Sequence, residues 1–322
     1  MKKYLTYDDV ALVPQYSTVE SRSNCETETW LGEYQFKVPV MPANMSCVIS
    51  ESVAFLLDAH RYFYVMHRFG DTEAFIKRAN QLSFRVVSIS IGVKQQDYEL
   101  IDFLCENKKH LKVHYITIDI AHGHCAALIS MVKYIRRRLP EVFVIAGNIA
   151  TPEAYIDLAD AGADAVKVGI GQGAACTTKL KTGFTMPMFS CIQNVRAAQL
   201  EVGARMDAPI IIADGGIKYN GDIAKALVAG AQWVMAGGLF AKSVDSPAHF
   251  DPVTQEKVYY GSASDKNKIE KKHIEGTTIN MQSSGLTMLE TFSEITEDLK
   301  SAISYAGKTS ALDMYNIDYI RV

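Results

Sequence analysis

One cysteine in this chain sits in surroundings that a packed thiol does not need. In GIGQGAACTTKLKTG, residues 169–183, Cys176 follows glycines at 169, 171 and 173 and precedes Thr177 and Thr178. A thiol attacks only as a thiolate, so such a loop must stabilise the anion or set a base beside it. Two threonine hydroxyls can donate or accept at the reacting atom. The glycines open many backbone conformations and turn carbonyls or amides inward. The carbonyls of Gly171 and Gly173, close to Cys176, also suit a monovalent cation. Covalent catalysis fits this order of residues. A cysteine merely packed at a strand end would leave the glycines and threonines unexplained. Two further glycine turns follow apolar runs: Asp214-Gly215-Gly216 and Gly237-Gly238. Glycine lets backbone N–H groups approach a phosphate closely. Asp214 is the wrong charge for phosphate, but a carboxylate there can accept hydrogen bonds from two ribose hydroxyls.

The rest of the chain must position these groups. It has 322 residues, a formal net charge of −3 and 48% apolar residues, enough for a substantial core. The near-balanced charge favours neither nucleic acid nor an anionic membrane as a partner. No apolar run is long and charge-free enough to span a bilayer. The start, MKKYLTYDDV, lacks the apolar segment of a secretory signal, so a cytoplasmic location is expected. The six cysteines include no CxxC pair and no tight Cys/His cluster, which fits a reducing compartment and no structural zinc.

Eight short apolar runs recur along the chain, at 38–44, 63–68, 86–92, 115–123, 143–148, 165–173, 209–216 and 233–238. They are apolar on both faces, as parallel strands buried between layers are. Amphipathic helical text fills most gaps. Residues 152–164 carry Pro152 at the front and Gly162 behind, and 286–306 place Leu289, Phe292, Ile295, Leu299 and Ile303 on one stripe. Eight strand–helix units predict an α/β fold, a (β/α)8 TIM barrel, over a doubly wound open sheet. One domain over 1–322 is expected. Two long insertions break the rhythm, one around Cys176 after the sixth run and one at about 241–285 after the eighth. In barrels such loops lie on the catalytic face, so the second reads as a lid or flap.

The motifs together resemble the IMP dehydrogenase/GMP reductase family. They are SRS at 21–23, PANM at 42–45, IDIAHGH at 118–124, AGN at 146–148, GADAVKVGIGQGAACTTK at 162–179, IIADGGI at 211–217 and GSAS at 261–264. The resemblance implies a purine nucleotide at the barrel mouth, a covalent bond from Cys176 to purine C2, a stacked nicotinamide cofactor, often a potassium ion near the cysteine loop, and a homotetramer. It assigns the nucleotide to Met45, Asn148, Asp214, Gly215, Gly216, Gly237, Gly238, Ser262 and Ser264. It assigns the cofactor to Ser21, Arg22, Arg68, Asp119, Ala121, Gly169 and Gly276, with Ser21 and Arg22 reaching over from a neighbouring subunit. A cation at Arg68 near a 2′-phosphate would favour NADPH.

Between the two branches, the reductase is the better match. No CBS insertion interrupts the chain. Between Gly261 and Gly276 there is neither arginine nor tyrosine, the pair that activates water in the dehydrogenase. KKHIEGTT places Glu275 where the reductases carry a glutamate, and Thr178 is its matching threonine. Reductive deamination must expel ammonia, which leaves well only when protonated, so a general acid is required. Glu275 with Thr178 can relay that proton, and Asp119 is a second acid–base candidate. IMP dehydrogenase and a purine-binding barrel that has lost catalysis remain alternatives. The chain departs from the family at Gln172, where proline is usual, at Ala174, which replaces a phosphate-binding serine, and at Ser46. One lost hydrogen bond to a charged group is worth roughly 1.5–3 kcal/mol, so nucleotide affinity is expected to be weaker unless another group compensates.

Overall fold

The computed structural model describes residues 4–204, 206–267 and 274–322. Seven parallel strands form its central sheet: β1 (Val40–Pro42), β2 (Ser88–Ile91), β3 (Tyr115–Asp119), β4 (Phe143–Ile149), β5 (Ala165–Val168), β6 (Ile210–Asp214) and β7 (Trp233–Ala236). The hydrogen-bonded order is β1-β7-β6-β5-β4-β3-β2, so the first and last strands of the chain order are already joined. The remaining gap lies between β1 and β2. The second apolar run, 63–68, occupies the chain position between them. It makes a single parallel bridge, Met66 to Ile89, with Met66 N–H donating to Ser88 O at 3.1 Å. Seven of the eight expected strands are therefore regular, and the eighth is one bridge long. The architecture is the (β/α)8 barrel.

Why these residues make these elements is visible at their ends. The helix Pro152–Ala161 starts with the Thr151 side chain accepting from Ala154 N–H, has proline in its first turn, and stops at Gly162, whose φ is 99°. The last helix (Met288–Tyr305) opens with a capping box, Thr287 with Glu290, and buries Phe292, Ile295, Leu299 and Ile303, the stripe read from the sequence. Residues 127–140 and 221–232 supply the helices Ala126–Arg138 and Asn220–Ala229.

Aromatic side chains close the barrel floor. A hairpin (Thr29–Leu31 with Tyr34–Phe36) inserts Phe36, which is edge-on to Phe63 and Trp233 at centroid distances of 5.2 and 5.8 Å. The Tyr115 hydroxyl donates to Leu31 O at 2.6 Å and Trp233 Nε1 to Trp30 O at 3.3 Å, so the plug buries no unpaired ring donor. Residues 10–12 pair antiparallel with 319–321, which ties the two ends of the chain. The insertion after β7 contains a three-stranded antiparallel sheet (Phe250–Asp251, Glu256–Tyr260, Thr278–Gln282). No helix among the described residues is long and apolar enough to cross a membrane.

At the top of β5 the chain has no room for a side chain. Gly169 has φ 143°, and a Cβ there would lie 2.0 Å from the Asp214 carbonyl oxygen. Gly183 has φ 78° but open space around it. Gly169→Ala is expected to cost more than about 3 kcal/mol, and Gly183→Ala about 1–2 kcal/mol. Thermal unfolding of the two variants checks this; equal melting temperatures would contradict it.

Candidate active site at the barrel mouth

Two loops far apart in the chain meet over the carboxyl ends of the strands. The first leaves β5 through Gly169 and Gly171, the latter at φ 76°, and turns so that Cys176 N–H donates to Gly173 O at 3.0 Å. The second is the return arm of the insertion, 274–278. Cys176 and Gly276 form an antiparallel bridge, flanked by Thr177 N–H to Glu275 O at 2.8 Å and Thr277 N–H to Ala175 O at 2.9 Å. The arm passes flush against its own outgoing limb: a Cβ on Gly276 would sit 2.7 Å from Ser264 N, and one on Gly261 3.0 Å from Ala175 O.

That backbone pairing brings three side chains into line. The Cys176 thiol donates to Thr178 Oγ1 at 3.3 Å, and the Thr178 hydroxyl donates to Glu275 Oε2 at 2.7 Å. The thiol and the carboxylate are thus joined through one hydroxyl, in the direction that carries a proton from sulfur to oxygen.

A second cluster lies below, at the ends of β3 and β6. Lys167, 1% exposed, donates to Asp119 Oδ1 at 2.7 Å and to Asp214 Oδ2 at 3.1 Å. Burial alone would lower the lysine pKa, but Asp119 and then Asp214 override it and hold the ammonium above its ordinary range. Burial likewise opposes ionisation of Asp119, yet Lys167, with Arg68 and Asn44, brings its carboxyl below the usual value. Asp119 is therefore held as an anion, better suited to accepting a hydrogen bond or proton than to donating one. Asn148 Nδ2 bridges Gly169 O at 2.9 Å and Asp214 Oδ2 at 2.8 Å.

Among the described residues, Asn148 Oδ1, Thr177 Oγ1 and Ser264 Oγ around this mouth are buried without a hydrogen-bond partner. Buried polar atoms are ordinarily hydrogen-bonded, so these are free to meet a polar ligand. The remaining expected residues fall as follows. Gly215 faces the cysteine loop, where a Cβ would lie 3.2 Å from Gly173 N; Gly216 packs on Tyr7 and Met188. Gly237 lies under Tyr259, whose hydroxyl donates to Met45 Sδ at 3.5 Å, and Gly238 lies against Met281. Ser262 belongs to the outgoing limb between Gly261 and Ser264. Ala121 is exposed just past β3, and Arg68 is exposed close enough to Asp119 to act on its charge. Ser21 and Arg22 are not brought to this cluster: Arg22 Nη1 donates to Ser301 Oγ at 2.9 Å on the last helix. Lys271, Lys272 and His273 of the KKHIEGTT motif lie outside the described residues.

Sequence reasoning missed two features. Lys167 stood in plain view as the one charge in AVKVG, a run otherwise apolar on both faces; a charge there needs buried partners. The other is a brace on the cysteine loop. Gln172 Nε2 donates to Thr185 Oγ1 at 2.7 Å, and the Thr185 hydroxyl donates to Ile170 O at 2.8 Å. Gln172 thus fastens the glycine turn by a side-chain bond at the position where a proline was expected. Ala174, where a serine was expected, is exposed on this loop.

A family model described as IMP dehydrogenase / GMP reductase domain matches residues 4–321. With a sequence match over nearly its whole length and a (β/α)8 fold, the chain belongs to the IMP dehydrogenase/GMP reductase family. A protein of Bacillus cereus (strain ZK / E33L) named GMP reductase is 44% identical over 328 aligned positions, covering 100% of this chain and 97% of that protein. One of Streptococcus pyogenes serotype M5 (strain Manfredo), also named GMP reductase, is 45% identical over 320 positions, covering 98% and 94%. A Bacillus anthracis protein of the same name is 44% identical over 328 positions.

The Gln172 brace makes its own prediction. Gln172→Ala removes one solvent-exposed hydrogen bond, worth about 1 kcal/mol, from the loop that carries Lys179 and Lys181. Trypsin cleavage after these lysines is expected to speed up about fivefold, in line with that local loosening, with the melting temperature little changed. Unchanged cleavage would show that Gln172 does not hold the loop.

Proposed function

We propose that the protein is a GMP reductase, converting GMP to IMP and ammonia with NADPH as reductant. The observation that carries this reading is the hydrogen-bonded chain from the Cys176 thiol through Thr178 to Glu275. Reductive deamination needs a nucleophile at purine C2 and an acid for the departing amine, and this chain couples the two. The thiol proton passes through Thr178 Oγ1 to Glu275 as sulfur adds to C2. Glu275 returns that proton, again by way of Thr178, to the amino group, which leaves as ammonia. NADPH, when bound, supplies the hydride that C2 receives, and the C–S bond then breaks to release IMP and the thiolate.

The other groups support the same reading. Asp214, with Asn148 beside it, would take the ribose hydroxyls, and the turns at 215–216 and 237–238 the phosphate. Asp119 would hold the cofactor amide as an acceptor, and Arg68 the extra phosphate of NADPH. The orphaned Ser264 and Asn148 atoms fit a polar ligand. Gly171 and Gly173 carbonyls with Cys176 would hold a potassium ion, whose part would be to steady the cysteine loop. Ser21 and Arg22, packed on the last helix, suit delivery to a neighbouring copy in a homotetramer. The dehydrogenase alternative is disfavoured because no arginine or tyrosine lies between Gly261 and Gly276 to activate water.

The test is nicotinamide absorbance with GMP plus NADPH, and separately with IMP plus NAD+. GMP-dependent NADPH oxidation is expected, absent in Cys176→Ala and reduced about 10²–10⁴-fold in kcat in Glu275→Gln, as for loss of a general acid. NAD+ reduction with IMP and no NADPH oxidation with GMP would overturn the reading.

A further inference from the structure

We propose that Lys167 is a positioning residue of this site, one ammonium that fixes Asp119 and Asp214 together and so sets the cofactor and nucleotide subsites in common. The proposal rests on the reading above for what those two carboxylates contact.

The sheet register explains how one side chain reaches both. Asp119 on β3 pairs with Gly147 on β4, and Gly147 pairs with Lys167 on β5, so the three residues lie in a row across the sheet. Gly147 has no side chain to obstruct the row; a Cβ there would come within 2.6 Å of Lys167 Cβ. On the other side, Lys167 pairs with Ile212 on β6, two residues short of Asp214. The ammonium ends 2.7 Å from one carboxylate and 3.1 Å from the other, with Met235 Sδ at 3.9 Å.

The exposures are lopsided. The Lys167 side chain is 2% exposed, while those of Asp119 and Asp214 are 16% and 21% exposed. The cation is sealed below and the anions open upward into the mouth. Burying such a charge is costly, and a well-packed apolar residue would serve stability as well or better. A purely structural role therefore leaves the arrangement unexplained, whereas holding two ligand-facing acceptors at a fixed spacing accounts for it.

The experiment compares Lys167→Gln and Lys167→Arg with the wild-type enzyme, using GMP and NADPH across a pH series. Asp119 is faced by Lys167, Arg68 and Asn44, and Asp214 by Lys167 and Asn148. Without the ammonium Asp119 protonates more readily. In Lys167→Gln the acid limb of the kcat/KM profile is expected to move up by about one pH unit, and the KM values for GMP and NADPH to rise together, severalfold each. Lys167→Arg restores the charge and is expected to return the acid limb to its wild-type position. A loss of kcat alone, with both KM values and the acid limb unmoved, would mean fewer folded molecules and would overturn the proposal. Should Lys167→Gln fail to fold, Lys167→Met, which fills the same buried space without the charge, takes its place: an acid limb that moves up with both KM values supports the proposal, and one that stays put with both KM values unchanged overturns it. Wild-type turnover is read in the same series, so absence of any GMP-dependent oxidation marks failure of the functional reading, separately from an active wild type with unresponsive Lys167 variants.

Discussion

Cys176 and Gly276 face each other across a single antiparallel bridge, with a backbone hydrogen bond on either side. A thiol on a glycine-rich turn has no fixed position of its own. The bridge gives it one by pairing its backbone with the return arm of the insertion. Because side chains alternate along paired backbones, it also determines where Glu275 emerges relative to Cys176. Thr178, in the first turn of the short helix Thr178–Thr182, then spans the gap between sulfur and carboxylate. The hydrogen-bonded line from thiol to carboxylate is thus a product of backbone pairing rather than of side-chain flexibility.

That pairing depends on missing atoms. Gly276 and Gly261 let the two limbs of the insertion lie against each other and against the cysteine loop, and Gly169 lets that loop leave β5 over the Asp214 carbonyl. The floor of the barrel works the opposite way, filled by Phe36, Phe63 and Trp233. The fold is tightly packed at one end and open at the other, where Asn148, Thr177 and Ser264 each keep a buried polar atom without a partner among the described residues. Tyr259 joins the two regimes: it is buried, its phenol is pushed up in pKa by that burial, and it packs beneath Gly237 at the base of the insertion.

Much of this was legible in the sequence because it rests on local signals. Runs apolar on both faces gave the strand positions, and Pro152, Gly162 and the stripe 289–303 gave helix ends and faces. The second run shrank to one bridge because strand regularity is set by neighbours, which the run cannot reveal. The cysteine loop announced its residues but not their partners: Glu275 and its pairing with Thr178 came from resemblance, and the fold supplied the hydrogen-bond geometry that joins them to Cys176. Lys167 was overlooked because its partners, Asp119 and Asp214, lie 48 and 47 residues away and meet it only through sheet register. The Gln172–Thr185 brace spans 13 residues of one irregular loop, and its contact depends on how that loop turns, which no periodicity signals. Ser21 and Arg22 remain with the last helix within one chain, so their expected role depends on a second copy.

The proposed function stands on a bond between the sulfur of Cys176 and the purine ring, formed as ammonia leaves. Intact-protein and peptide mass spectrometry of enzyme mixed with GMP and quenched in acid tests this most directly. The expected result is a mass increase on the Cys176 peptide equal to the nucleotide less ammonia. An unmodified Cys176 peptide under turnover, with the alanine variant still active, would contradict it.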